Sequence, residues 1–259
     1  MARQWLARAV ICAATALAVT GCGNAHGAAQ SGHGQKTVTV FAASSLSGAL
    51  EEAKREFAAV HPGLHIRLNV GGSSTLVTQL KNGAPADLFA SADEPTMDKA
   101  VEAGLTVGSV QHFAGNVLSI LVQKGNPHKI NGLVDLSRED LTVSLCGPQV
   151  PAGRYARQAL ERAKVPVPRG GEELDVKQVV SRVTLGEADA GIVYATDAKS
   201  VAGKADEVTI ADDQNIVARY PASVLNTGDN PAGAKMFLDY LLSADGKKIL
   251  QKHGFQEPR

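Results

Sequence analysis

Two short stretches, "FAASSL" (41–46) and "GGSSTL" (71–76), each set a serine pair between a strand-like apolar run and a helical pattern. At such a turn the first amides of the helix lack intrahelical partners, and the positive end of the helix dipole lies beside them. With a hydroxyl added, the turn is a ready site for an anion held by neutral donors. Serine is also a preferred N-cap, so one such serine alone reads as a cap. Two on successive units make the stronger case for a ligand, and Gly71-Gly72 adds to it, because glycine lets a backbone approach closely. Ser45 and Ser73 are therefore the first candidate site residues. Three more positions point to the same kind of edge: Ala152 after "LTVSLC" and Pro151, Val176 after the N-cap candidate Asp175, and Tyr194 closing "GIVY". Their plainer readings are a proline-started helix, a capped helix and a half-buried core tyrosine.

Catalytic patterns are absent from the sequence. There is no G-x-S-x-G elbow, no H-E-x-x-H and no G-x-x-x-x-G-K-[ST], and the histidines at 61, 65, 112, 128 and 253 stand apart from the serine turns. Of the three cysteines, Cys12 falls in a leader-like segment, Cys22 follows it, and Cys146 lies in a strand-like run where a packing role is expected. Lys+Arg and Asp+Glu each number 26, for a net charge of +0, so no field for nucleic acid is expected. A bound anion has to be held locally.

The elements that must position these residues alternate. "VTVFA" (38–42) precedes a helical stripe of Leu46, Ala49, Leu50, Ala53 and Phe57; "IRLNV" (66–70) precedes Leu76, Val77 and Leu80; "DLFA" (87–90) precedes a helix opened by "SADEPT". A second set follows: the apolar run 116–125, "LTVSL", a helix from "VPAG", a stripe of Val176, Val179, Val180 and Val183, and the strand "AGIVYA" (190–195). Strands near 207–210 and 216–225 and helices near 231–243 and 245–253 complete the chain. This order predicts an α/β fold with a largely parallel sheet in two lobes, and ligands of such sheets collect at the carboxyl ends of strands. The pattern leaves open whether the lobes are sequential or one is inserted in the other.

The N-terminus reads as an export signal. Arg3 and Arg8 precede an apolar run, Ala9 to Val19, too short to span a bilayer. Val19-Thr20-Gly21-Cys22 resembles the lipobox of bacterial lipoproteins, which implies removal of 1–21 and acylation of Cys22. Residues 22–36 read as a flexible tether, and His26 and His33 within it as tether composition rather than metal ligands.

Taken together, "VFAASSL", "GGSSTL...L..GAPADLFASAD", "VPAGRYA" and "GEADAGIVYATDA" resemble the periplasmic molybdate-binding proteins of bacterial ABC importers, members of the type II periplasmic binding proteins. The resemblance covers roughly 37–256. It implies a non-enzymatic, two-lobe binding protein without cofactor that takes molybdate, and tungstate with it, through Ser45, Ser73, Ala152, Val176 and Tyr194. The metal would be held through its oxygens, with no direct protein ligand. It further implies insertion, with lobe I from 37–116 and 219–259 and lobe II from 117–218. The partners implied are an ABC permease with its cytoplasmic ATPase, and the membrane through a lipid anchor at Cys22 on the outer face of the cytoplasmic membrane; a monomer is expected. Arg154, beside "VPAG", is placed to lean toward the anion or to form a surface ion pair, and the surface pair is the favoured reading. The competing readings are a receptor for sulfate or thiosulfate and an exported serine hydrolase. All five site residues are neutral donors, which suits a fully deprotonated oxyanion: hydrogen phosphate would bring a proton with no carboxylate to receive it, at a cost of about 1–3 kcal/mol.

Overall fold

The structure, a computed structural model, describes residues 37–258. The expected signal segment, the tether and Cys22 lie outside the described residues.

The first βα units follow the expected stripes. β1 (Thr37–Ala43), α1 (Ser47–Val60), β2 (His65–Gly71), α2 (Ser73–Lys81), β3 (Leu88–Ala90) and α3 (Glu94–Glu102) lead into β4 (Thr106–Gln123). β1 pairs in parallel with β2 on one side and β3 on the other. The α1 stripe, Leu46 to Phe57, is buried throughout. Each such Leu or Phe contributes about 1.5–3 kcal/mol by leaving water, which holds α1 on the sheet. Phe57 meets Phe237 edge-on, with ring centroids 5.2 Å apart.

The second set comprises β5 (Val143–Cys146), α4 (Pro151–Arg162), β6 (Glu172–Glu173), α5 (Val176–Thr184), β7 (Ala190–Tyr194), α6 (Ala195–Ser200) and β8 (Ala205–Thr209). β5 pairs in parallel with β6 and β7. β9 (Val217–Leu225), α7 (Pro231–Leu242) and α8 (Ala244–Lys252) then return to the first set. Gly153 in α4 lets the helix start press on the end of β5: a Cβ there would stand 2.1 Å from the Gly147 carbonyl and 2.4 Å from that of Cys146. The glycine of "VPAG" thus seats the first turn of α4 directly over the strand end.

The strands form one path, β2-β1-β3-β9-β4-β7-β5-β6, with β8 also on β4. Pairing is parallel within each βα set. The two strands that join the sets, β4 and β9, run antiparallel to their neighbours. β4 begins ten residues before the apolar run at 116–125. Its first part is exposed, contains Gly108 at φ +73°, and shifts register against β9 between Val107 and Gln111. A bulged, solvent-facing strand start has no apolar signature. Up to Val117 β4 pairs with β9, and from Leu118 it pairs with β7 and β8, so this one strand belongs to both halves of the sheet.

Candidate functional site

The five residues singled out by sequence line one small cavity of about 10 Å3. Ser45 stands in the 3-10 turn Ser44–Leu46 after β1, and Ser73 opens α2 after β2. Ala152 is the second residue of α4, Val176 the first of α5, and Tyr194 the last of β7. The serines come from the first set of elements and the other three from the second.

Neither serine is a helix cap. No side chain caps the 3-10 turn or α2. Ser45 Oγ instead lies 3.0 Å from Tyr220 Oη, and Ser73 Oγ accepts from the Ala92 amide at 3.1 Å. Having accepted, Ser73 keeps its own proton to give. α4 also starts without a side-chain cap, whereas Asp175 caps α5 by accepting from the amides of Lys177 and Gln178 at 2.8 and 3.2 Å. Asp175 lines the cavity, an acidic residue that the donor-only reading of the sequence left out. Its Oδ1 is taken by those amides and its Oδ2 by Gln178 Nε2 at 3.1 Å, so the carboxylate serves the helix end.

Tyr194 is buried, its ring edge-on to Tyr220 at 5.7 Å, as the core reading expected. Its hydroxyl, however, is buried without a hydrogen-bond partner in the wall of the cavity. Leaving such a group unsatisfied costs about 1–3 kcal/mol, and natural interiors rarely do so without a functional reason. Burial pushes the phenol well above its ordinary pKa, so it remains a protonated donor at any physiological pH.

Arg154 departs from the expected surface pair. Its Nε donates to Asp93 Oδ2 at 2.9 Å and its Nη2 reaches the same oxygen; Nη2 also donates to Thr96 Oγ1 at 3.0 Å, and Nη1 to the Gln149 carbonyl at 2.9 Å. Asp93 is fully buried and caps α3 by accepting from the Thr96 amide. The pair therefore ties α4 of the second set to α3 of the first. Read from sequence, Asp93 was only part of a polar helix start, and its partner is 61 residues away.

A second crossing contact explains Gly72. Its φ of −62° is open to any residue. A Cβ there would stand 2.3 Å from the Leu174 carbonyl. What approaches this glycine closely is the backbone of the facing half, where the sequence suggested a ligand. Sequence reasoning also missed Tyr220 and Asn116.

The family model described as bacterial extracellular solute-binding protein matches residues 38–256. The chain belongs to this family. It is similar to the molybdate-binding protein ModA of Mycobacterium tuberculosis H37Rv, with 40% identity over 225 residues covering 87% of this chain and 86% of the relative. It is also similar to ModA of Escherichia coli K12, with 34% identity over 267 residues, 98% of this chain and 99% of that one. Among solved structures, the Azotobacter vinelandii periplasmic molybdate-binding protein superposes with a TM-score of 0.75 at 23% identity, over 86% of this chain and all of that one, 100%. This likeness shows the fold, the two-lobe α/β fold of periplasmic binding proteins. A solute-binding protein of this family is a carrier and not an enzyme.

The Gly72 contact generates a prediction about closure. Gly72→Ala is expected to hold the two halves apart, raising the radius of gyration in small-angle scattering while far-UV circular dichroism stays unchanged. A radius equal to wild type would mean that the Leu174 backbone yields and the contact does not limit closure.

Proposed function

We propose that the chain is the molybdate receptor of an ABC-type importer, taking tungstate as well, with Ser45, Ser73, Ala152, Val176 and Tyr194 as its anion contacts. The observation that carries this reading is that hydroxyls and helix starts from both halves of the sheet converge on one cavity. The kinship with molybdate-binding relatives supports the same ligand.

The chemistry of the donors fits a dianion without a proton. Asp175, the charged residue of the cavity wall, is engaged by the start of α5, and the basic side chains Arg154 and Lys177 are paired with Asp93 and, at 2.9 Å, with Asp197. The anion is then held by amide and hydroxyl dipoles, which cost little to reorganise because the fold already orients them. Charge-assisted hydrogen bonds of this kind are roughly twice as strong as neutral ones. Sulfate, which also lacks a proton, has to be refused by size: donors fixed on helix starts and a strand end reward the larger tetrahedron.

The lobe boundaries proposed are 37–116 with 219–259 for lobe I and 117–218 for lobe II. The change of β4 partners at Leu118 and the return through β9 support them. Those two strands then form the hinge. Lobe II closes over an anion seated on the serine turns and brings the Tyr194 hydroxyl to it. A ligand shifts such an equilibrium only by its differential affinity, and the Tyr194 contact would exist in the closed state alone. Beyond the chain itself, we propose delivery to a membrane permease driven by a cytoplasmic ATPase, with Cys22 as the lipid anchor at the outer face of the cytoplasmic membrane. Among the described residues no helix is long and apolar enough to cross a membrane.

Three measurements test this reading. Calorimetry is expected to show one molybdate or tungstate per chain, with sulfate and phosphate at least about a thousandfold weaker, roughly 4 kcal/mol; equal affinity for sulfate would remove molybdate as the ligand. Tyr194→Phe, which keeps the ring and removes the hydroxyl, is expected to lose about 1–3 kcal/mol of affinity, chiefly as faster dissociation in stopped-flow. An unchanged dissociation rate would return Tyr194 to the core. Cys22→Ser is expected to move the protein from the membrane fraction to the soluble one, and retention at the membrane would refute the anchor.

A further inference from the structure

Behind Ser45 runs a buried chain of polar groups. Asn116, at the centre of β4, accepts from the Val117 amide through Oδ1 at 3.0 Å, which fixes which end of its side chain is the nitrogen. Its Nδ2 donates to Thr196 Oγ1 at 2.9 Å and to Tyr220 Oη at 3.4 Å. Tyr220 Oη in turn lies 3.0 Å from Ser45 Oγ. Asn116, Thr196, Tyr220 and Ser45 are all buried.

The direction of this chain follows from its first member. An amide nitrogen only donates, so Tyr220 Oη accepts from it and has a single proton left to place. The Tyr194 hydroxyl interacts with Tyr220 but falls outside hydrogen-bond geometry, so Ser45 Oγ, at 3.0 Å, is the better-placed acceptor. Ser45 then accepts, and its own proton is left for the cavity. The opposite direction would leave the Tyr220 proton facing the Asn116 NH2 group, which cannot accept it, and the Tyr194 hydroxyl, which lies outside hydrogen-bond geometry. Ser73 reaches the same state by a shorter route, accepting from the Ala92 amide.

We infer that Asn116 and Tyr220 are specificity-determining positioning residues, which fix the Ser45 hydroxyl as a donor and thereby select oxyanions that carry no proton. The inference rests on the ligand reading above and extends it to residues that do not line the cavity. Neighbouring hydrogen bonds in such a chain polarise one another, so the Asn116 amide also strengthens the bond that Ser45 makes.

The test compares wild type, Tyr220→Phe and Asn116→Asp by calorimetry at neutral pH with molybdate, sulfate and inorganic phosphate, whose species there all carry a proton. Tyr220→Phe keeps the ring between Tyr194 and Phe255 but lets the Ser45 hydroxyl turn either way. It is expected to weaken molybdate by about tenfold or more and phosphate far less, so the molybdate-to-phosphate ratio narrows by about tenfold. In Asn116→Asp a carboxylate replaces the amide and accepts from Tyr220, which reverses the chain and turns the Ser45 lone pairs to the cavity; the ratio is expected to narrow further. Should Asn116→Asp fail to fold, the Tyr220→Phe ratio decides alone. A folded Tyr220→Phe with the wild-type ratio, or with equal losses for both anions, overturns the inference and leaves Tyr220 a packing residue. If wild type takes sulfate in place of molybdate, the ligand reading falls, and the sulfate-to-phosphate ratio of the same proteins decides the chain. A wild type that prefers phosphate overturns it.

Discussion

The proposed site has to seat a charged solute in a buried place using groups that carry no net charge. A buried ion without compensation is costly, and a paired cation would hold any anion with little discrimination. The fold meets the demand by gathering helix starts and hydroxyls from separate βα units around one small space. The hydroxyls serve only if each is turned the same way, with its lone pairs already occupied. The Ala92 amide does this for Ser73, and in our proposal Asn116 does it through Tyr220 for Ser45. Charged side chains nearby are engaged, Arg154 by Asp93 and Asp175 in the cavity wall by the amides that open α5.

The sheet serves the same end. Each contributing helix begins past the carboxyl end of a strand, the edge where ligands of such sheets collect. The two joining strands run antiparallel to the rest and link the sets through β4, whose length lets it pair with β9 at one end and with β7 and β8 at the other. That continuity fixes the facing edges in register while leaving only two backbone crossings between them. Gly72 then allows the Leu174 carbonyl to come close enough to finish the wall.

Much of this was legible in the residues. The stripe from Leu46 to Phe57 and the valines of α5 gave their helices by period, and the buried faces are the predicted ones. That Ser45, Ser73, Ala152 and Val176 meet at one cavity was legible because a turn or helix start after a strand is a local pattern. The parts that were not legible are those set by distant partners. The first half of β4 is exposed and bulged, so hydropathy is silent there. Arg154 carries no local sign that its partner is a buried aspartate in another unit. Asn116 and Tyr220 look like ordinary strand residues until the fold places one hydroxyl beside another. Asp175 shows the reverse case: its capping role was visible, and its place in the cavity wall was not.

The tie between Asp93 and Arg154 bears on how the cleft works as a machine part. When the halves separate, both groups gain water, and hydration replaces most of the attraction that is lost. Such a pair contributes little to the balance between open and shut. Its geometry is strict, however, since one carboxylate oxygen receives two guanidinium nitrogens while the hydroxyl of Thr96 and the carbonyl of Gln149 fix the same fork. It therefore behaves as a dowel rather than a bolt: it sets the angle at which the halves meet, and leaves the decision to stay together to the cargo.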